Sequence, residues 1–500
     1  MAVLLVALLL ILTLFVLVTR RSSRHYPPGP RPLPLLGNIH NAPAQRQWKT
    51  FAAWKSTYGD VISLTIFGQR IVVLNSLESA IDLLEKRSAV YSDRPRMVMV
   101  GELLGWAQQL VFAPYGEHFR NMRKILHKYL GARGQLDKIE PYHEIIEAAT
   151  AKFLVRALRD GSDFYHLEHN VHMTSGTINL RIGYGHNIAE GEDELVQMMD
   201  DALVGFNRAA VPGAFLVDII PALKWVPTWC PGTSWKRQAQ EWKDLFVRMT
   251  DGPYAMAQQQ AARGGDDNIV SMSLSEGMSP EDHYDLKMAV GSLYGGGTDT
   301  TVAIILSFIL AMTLHPEAQK KAQQEIDALT NGERLPVIRD REELPYVRAL
   351  ISEVLRWNPL VPLGVPHRAI ADDVYRGYFI PEGSTIVVNM WQLAQDPEVY
   401  ADPDVFKPER FLGPDSERDI RTFVFGFGRR ICPGLNLAEA STFATCARIL
   451  AVFDIGTVVE DGKQVTPDFA FRDGAVSYPL PFKCTMKPRS ERAETLIISS

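Results

Sequence analysis

Phe425-Gly426-Phe427-Gly428-Arg429-Arg430-Ile431-Cys432-Pro433-Gly434 is the stretch on which the reading of the fold turns. Its residues fit F-x-x-G-x-R-x-C-x-G, a match that arises by chance on the order of once in ten thousand chains of this length at ordinary residue frequencies. A thiolate that binds iron needs a loop whose backbone N–H groups point at the sulfur and set its donor strength. Gly428 and Gly434 allow the positive φ and the close backbone approach that such a loop requires. Phe425 can pack beside the ligand and keep water away. Arg430 can pair with an anionic group of the prosthetic molecule. A lone cysteine in a glycine turn is ordinarily just a buried structural residue; motifs elsewhere in the chain decide against that here.

Outward from this loop, residues 78–450 carry apolar side chains at spacings of three and four, the helical period. Helices are expected over 116–130, 137–159, 192–209, 235–263, 282–314, 315–329 and 343–357, with another over 435–453 directly after the cysteine. Val61 to Leu74, around Gly68-Gln69, reads as a hairpin. Short strands are expected over 366–388, with Pro381-Glu382-Gly383 as a turn, and again over 455–486. The stretch 391–434 holds too much Pro, Asp and Phe for a linker and reads as packed coil. The fold class is mainly α with small β-sheets, in a single domain over 38–500.

The N-terminus carries a separate signal. Ala2 to Thr19 has no charge, and as a helix it spans about 27 Å, near the hydrocarbon thickness of a bilayer. Arg20, Arg21 and Arg24 follow and place the C-terminal side in the cytosol. A cleaved signal peptide would need positive charge before the apolar run and a small-residue cleavage site after it, and neither is present. Residues 1–19 are read as a transmembrane anchor and 20–37 as a basic, Pro-rich tether. The tether includes Tyr26-Pro-Pro-Gly-Pro30, which cannot continue a helix. The formal charge of −6 argues against nucleic acid as a partner. Cys230, Cys432, Cys446 and Cys484 are few and contain no C-x-x-C, which speaks against a disulfide framework and a structural zinc site.

Two further segments carry chemistry. Glu353-Val354-Leu355-Arg356 puts an acid and a base one turn apart on a helix, and Pro408-Glu409-Arg410-Phe411 follows. An E-x-x-R alone is an ordinary solvated pair; its position ahead of P-E-R-F and the cysteine loop argues otherwise. Ala289 to Thr313 is apolar but interrupted by Gly295-Gly296-Gly297-Thr298-Asp299-Thr300-Thr301. Three central glycines cost roughly 2–3 kcal/mol relative to alanine, which calls for a reason: close packing of another group, or a kink that leaves room for a ligand.

With these motifs in this order, the chain resembles the cytochrome P450 family from anchor to C-terminal strands. The resemblance implies that fold, with one haem-binding domain and haem b held by Cys432 as axial ligand. It implies that Glu353, Arg356 and Arg410 form a buried ion network beneath the haem, and that Asp299 and Thr300 supply protons for oxygen activation. Propionate contacts are implied for Arg430, Arg94, Arg123 and His367, with Arg368 as an alternative to His367. The segment Tyr115 to Lys124 is similar to the family's W-x-x-x-R helix, but Phe119 stands where tryptophan is usual and has no indole N–H to donate.

The implied activity is monooxygenation: one oxygen atom from O2 enters a lipophilic small molecule of terpenoid, sterol-like or aromatic type. The overall motif style resembles fungal members of secondary metabolism. No flavin or dinucleotide fingerprint is present, so electrons come from NADPH only through a partner, NADPH–cytochrome P450 reductase. Arg120, Arg123, Lys124, Lys128 and Arg429 form a candidate basic docking face, or simply a solvated one. Pocket positions implied by the family are Met97, Met99, Val100, Leu103, Leu104, Phe206, Phe215, Val361, Leu363, Val365 and Val476. The segment 211–220, continuing through Trp225 and Trp229, is either a bilayer-dipping entrance or a core segment. The expected protein is a single-pass, monomeric protein of the endoplasmic reticulum membrane, with its catalytic domain in the cytosol. Two readings compete with it: a haem-thiolate isomerase or lyase that needs no reductase, and an anchored haem protein that only binds a ligand. Asp299-Thr300 argues against the first of these, and the complete motif set against the second, because a sensor has no need of a proton relay.

Overall fold

The computed structural model describes residues 25–43, 45–189, 193–210 and 214–500. The expected anchor, 1–19, and the first part of the tether lie outside the described residues. The chain forms two compact units: Met1–Pro95 with Gly364–Gln392, and Arg96–Leu363 with Leu393–Ser500.

The smaller unit is built on a four-stranded sheet. Val61–Ile66 pairs antiparallel with Gln69–Leu74, which runs parallel to Thr385–Val388; His367–Arg368 closes the edge. Ile62, Val72, Val73, Leu74 and Ile386 are fully buried along it. The hairpin turn falls on Phe67 (φ 47°) and Gly68 (φ 84°), one residue earlier than expected. A two-residue hairpin loop needs positive φ at both positions to follow the strand twist, and here that demand overrides the reluctance of phenylalanine to adopt it. The proline segment is pinned, not free. Ser63 donates from its backbone N–H to the Pro28 carbonyl (2.8 Å) and from its hydroxyl to Pro27 (2.7 Å). A Cβ on Gly29 would stand 2.0 Å from the Ser63 carbonyl oxygen, so only glycine passes there.

The larger unit is helical and organised around one helix, Pro280–Leu314. Its start is fixed by a reciprocal cap between Ser279 and Asp282 with proline at the first turn. Helices Phe164–Tyr184 and Ser234–Ala262 pack on it, as do Pro345–Trp357 and Leu435–Val452. Among the described residues it is the one helix long and apolar enough to cross a membrane, but it is buried as the core of this unit. The expected helices appear at Glu117–Leu130, His143–Asp160, Glu194–Ala209, Ser234–Ala262, Pro280–Leu314, Pro316–Thr330, Pro345–Trp357 and Leu435–Val452. His143–Asp160 begins late because Pro141 confines the preceding turn, Leu136–Tyr142, to a 3-10 helix. The longest helices beyond those expected are Phe164–Tyr184, Gln47–Tyr58 and Glu491–Ser499. In the tail, Phe453–Gly456 pairs with Thr485–Pro488, and Val458–Glu460 with Lys463–Val465. The segment after residue 213 is mixed: Leu216 is 65%, Trp225 79% and Trp229 82% exposed, whereas Val217 is buried in the core with Phe215 and Leu223 packed against it.

Candidate active site

The cysteine loop is closed by its own backbone. The Cys432 N–H donates to the Phe425 carbonyl at 2.8 Å. Gly426 (φ 84°) and Gly428 (φ 52°) occupy the left-handed region where a side chain is strained. Gly434 does not: its φ is −91°. A Cβ there would lie 4.0 Å from the Cys432 sulfur, an ordinary van der Waals contact. Burial pushes the Cys432 thiol up, while the Gly434 N–H and the Arg123 guanidinium oppose that shift. Helix Leu435–Val452 begins immediately after, so its positive end adjoins the sulfur. Arg123 reaches the loop by donating to the Ile431 carbonyl, and burial lowers its own pKa to about 10.

Arg430 is buried and donates to the carbonyls of Leu110 (3.3 Å) and Ala113 (2.7 Å). Its guanidinium lies 3.7 Å from the centre of the Phe119 ring. The residue that replaces the usual tryptophan therefore stacks on this arginine, a cation–π contact in place of an N–H donor. The Leu110 N–H in turn donates to the Ser292 hydroxyl of the central helix at 2.9 Å. The cysteine loop and the central helix are thus tied through the backbone around residue 110.

The three helix glycines have separate uses. A Cβ on Gly295 would meet the Trp106 ring at 3.4 Å, and one on Gly297 would meet the Asn179 amide at 3.0 Å. Gly296 faces open space in the middle of an otherwise buried helix. The helix is continuous α through all three, so of the two alternatives it is packing of other groups, at Gly295 and Gly297, that is found, with an opening at Gly296. Thr300 Oγ1 donates back to the Gly296 carbonyl at 2.9 Å. Asp299 faces other partners: its Oδ1 lies 3.8 Å from His172 Nε2, and it accepts a hydrogen bond from the Tyr478 hydroxyl. Trp106, which the motifs did not single out, packs on Phe206 (4.6 Å between centroids) and Phe246 (5.2 Å), and Phe112 also meets Phe206 (5.6 Å). Met99, Val100 and Leu104 are buried in the core, with Met97, Leu103, Phe206 and Phe215 at its edge.

Glu353 and Arg356 form a two-pronged pair, both contacts 2.8 Å, with both side chains fully buried. Arg410 Nε lies 3.1 Å from the same carboxylate and its Nη1 donates to Glu417 at 2.7 Å. Arg356 also donates to the carbonyls of Ala394 (3.1 Å) and Pro403 (2.8 Å), and Arg410 to those of Ala401 (2.7 Å) and Val405 (3.0 Å).

Arg94 and His367 belong to the smaller unit. Arg94 donates to the carbonyls of Val365 and Pro366, both at 2.8 Å. His367 is buried with Nδ1 2.7 Å from the Tyr91 carbonyl, while Arg368 pairs with Asp93 at 3.3 Å. Arg120, on the basic helix, and Arg429, in the cysteine loop, both lie over the Tyr115 ring, and Arg429 donates to its hydroxyl at 3.0 Å. Lys128 pairs at the surface with Glu276, whose opposite charge offsets it locally.

A free cysteine held by glycine turns, faced by a backbone N–H and a guanidinium, and joined to a helix that opens at Gly296 is the donor set of a haem-thiolate protein. The cytochrome P450 family model matches residues 27–486. The chain is 46% identical to cytochrome P450 monooxygenase 208 of Postia placenta over 98% of its length and 96% of that protein. It is 43% identical to cytochrome P450 monooxygenase claR of Ampulloclitocybe clavipes (97% and 91% covered) and 39% identical to cytochrome P450 monooxygenase ppsD of Aspergillus oryzae (99% and 95%). The chain belongs to the cytochrome P450 family and is a monooxygenase of it. The family binds haem b and draws electrons from a reductase partner. The residues here fit that group: one unpaired thiol with loop N–H support, and, among the described residues, no competing cluster of metal ligands.

Proposed function

We propose that this protein oxidises a lipophilic small molecule of terpenoid, sterol-like or aromatic type, with electrons from an NADPH-dependent diflavin reductase. The observation that carries it is the opening at Gly296 beside Thr300, one residue from a carboxylate that reaches toward a polar cleft. The haem, when bound through Cys432, supplies the redox chemistry. Cys432 is the ligand, and Gly434 and Arg123 tune it. Arg430 holds the loop and is a cation for a propionate, with Arg94, Arg123 and His367 as further candidates. Glu353, Arg356 and Arg410 hold the coil leading to the loop. Phe425 excludes water from the sulfur's side.

Thr300 and Asp299 handle protons. Thr300 Oγ1 holds its proton on the Gly296 carbonyl, and Asp299, with an exposed edge, takes protons from water and passes them toward Thr300. The aromatic group of Trp106, Phe112 and Phe206 supports an apolar substrate. Trp225 and Trp229, both largely exposed, support an entrance against a bilayer, and Ala2–Thr19 supports a single-pass anchor in the endoplasmic reticulum.

The test is oxygen consumption that depends on both NADPH and reductase. A reductase-independent isomerase or lyase would show none. In Thr300→Ala most of the electrons should leave as hydrogen peroxide, measured against NADPH consumed. Unchanged coupling in that variant would remove Thr300 from the relay.

The basic face gives a further prediction. Lys124 and Arg429 are exposed, whereas Lys128 is paired, so Lys124→Glu with Arg429→Glu is the informative change. First-electron transfer should slow by about tenfold at low ionic strength and recover part of the gap with added salt. Stopped-flow reduction kinetics check it; equal rates at low salt would mean the face is merely solvated.

A further inference from the structure

A cleft of about 1430 Å3 opens in the larger unit and is lined by acids, bases and tyrosines. It reaches the central helix at Asp299 and Val302, and His172, Asp200 and Tyr478 stand around that point. His172 lies on Phe164–Tyr184 and Asp200 on Glu194–Ala209. His172 Nε2 is 3.6 Å from Asp200 Oδ1 and 3.8 Å from Asp299 Oδ1, so one ring nitrogen is shared by two carboxylates from different helices. Tyr294 donates to Asp200 at 3.0 Å and the Tyr478 hydroxyl to Asp299, which fixes both acids. The His172 and Asp299 side chains are 21% and 16% exposed, so water reaches both.

The two tyrosines are poor proton donors, because burial and the carboxylates push them well above the ordinary phenol value. Histidine is the group that exchanges protons near neutral pH.

We infer that His172 loads Asp299 with protons taken from water in this cleft, and that Asp200 holds the ring between transfers. The inference rests on the reading of Asp299 as the relay to Thr300. In the step, the Nε2–H bond of the imidazolium breaks and an O–H bond forms at Asp299 Oδ1. The ring keeps the electron pair, becomes neutral and is recharged by a solvent proton; no electron moves between groups. The 3.8 Å gap is closed by a small side-chain rotation or by one bridging water. His172 acts through Asp299 and is a positioning residue, not a catalytic one.

Charges around the ring give the sign of the pH effect. Burial disfavours the imidazolium, but Asp299, Asp200 and Glu168 outweigh it, and the ring's pKa is raised. Arg156, from His143–Asp160, faces the neighbourhood as a cation; His169, on the same helix as His172, is held toward its neutral form by burial and by the charges of His172 and Arg156, and Arg472 is occupied with Glu168 at 3.2 Å. A raised pKa leaves the ring charged below that value and uncharged above it. Proton loading is therefore complete at low pH and is lost as pH rises through the folded-state value.

The experiment uses the full-length holoenzyme with reductase, followed by NADPH oxidation from about pH 6 to about pH 9 in H2O and D2O, a range that spans histidine titration. Wild type should slow as pH rises. His172→Gln should be roughly tenfold slower at the acid end, flat with pH, and show a larger solvent isotope effect. Its reduced carbon monoxide spectrum should match wild type. Asp200→Asn should shift the wild-type profile to lower pH. A readout independent of turnover is the imidazole resonance of labelled His172, which should titrate above an exposed histidine and drop in Asp299→Asn. If Asp299→Asn is slow but His172→Gln keeps the wild-type profile, the inference is overturned and the Asp299 relay stands. If Asp299→Asn turns over at the wild-type rate, the relay itself falls, and this inference with it.

Discussion

Cys432→Ser is expected to abolish the strongly red-shifted band of the reduced carbon monoxide complex, and all turnover with it, while the helical signal in far-ultraviolet circular dichroism is kept. The other cysteines cannot substitute. Cys446 is inside helix Leu435–Val452, and burial alone drives its thiol far up; Cys484 is pushed to about 12 for the same reason. Cys230 follows the exposed Trp229 at the surface. Only Cys432 has a backbone N–H and a guanidinium placed to favour its thiolate. A serine hydroxyl is nearly isosteric, so the loop bond from residue 432 to the Phe425 carbonyl and the turns at Gly426 and Gly428 persist. The loss is one of ligand chemistry, since an alcohol is far harder to deprotonate than a thiol and is a weaker partner for iron. A variant that kept the red-shifted band would show that sulfur from another residue binds the iron.

How much of this site could be read from the sequence follows from how local each part is. The cysteine loop was legible because its constraints act over ten residues: two glycines forced by φ, and a cysteine and an arginine at fixed spacing. The pair Glu353 and Arg356 was legible for the same reason, sitting one helical turn apart. Helix Phe164–Tyr184 was not. It is buried on nearly every side, so it lacks the apolar stripe by which an amphipathic helix announces itself. It also carries Asn170, Thr174, Ser175 and Asn179 in its interior, residues of modest helix propensity. Those residues are explained by neighbouring helices: Asn179 donates to Thr298 at 3.2 Å and Ser175 faces the Gly297 carbonyl at 3.4 Å, while Asn170 donates to Asp160 at 3.1 Å and Thr174 accepts from Arg156 at 2.9 Å. Missing that helix meant missing His172. Asp299 was read in the context of Thr300, its neighbour in sequence, whereas its partners His172 and Tyr478 come from 127 residues before and 179 residues after it. Likewise, Phe119 looked like a lost donor until Arg430, more than 300 residues later, was placed over its ring.

The second large effect belongs to the ion network. Glu353→Ala should destabilise the protein by about 3–5 kcal/mol, the usual cost of breaking a buried pair and leaving charge uncompensated. Two arginines and two glutamates balance in the native site: Glu353 serves Arg356 and Arg410, and Glu417 serves Arg410. Without Glu353, Arg356 keeps its full charge in a fully buried position with only backbone carbonyls around it. The Lys407 N–H, which donates to Glu353 at 2.8 Å, is also orphaned. Arg356→Lys should cost less, roughly 2 kcal/mol or more, because the charge stays but a point ammonium cannot make the two-pronged contact and still reach Ala394 and Pro403. A double change, Glu353→Leu with Arg356→Leu, should cost less than the sum of the single Leu changes, because it removes both charges together. It will not restore wild-type stability, since the carbonyls of Ala394 and Pro403 lose their donor. Urea unfolding midpoints and haem retention through gel filtration measure this order. The coil from Met390 to Phe411 has little regular structure of its own and owes its shape to these arginines, so haem should be lost at denaturant concentrations below those that melt the helices. Haem release coincident with helix loss in Glu353→Ala would show that the network stabilises the whole unit rather than the coil that carries the cysteine loop.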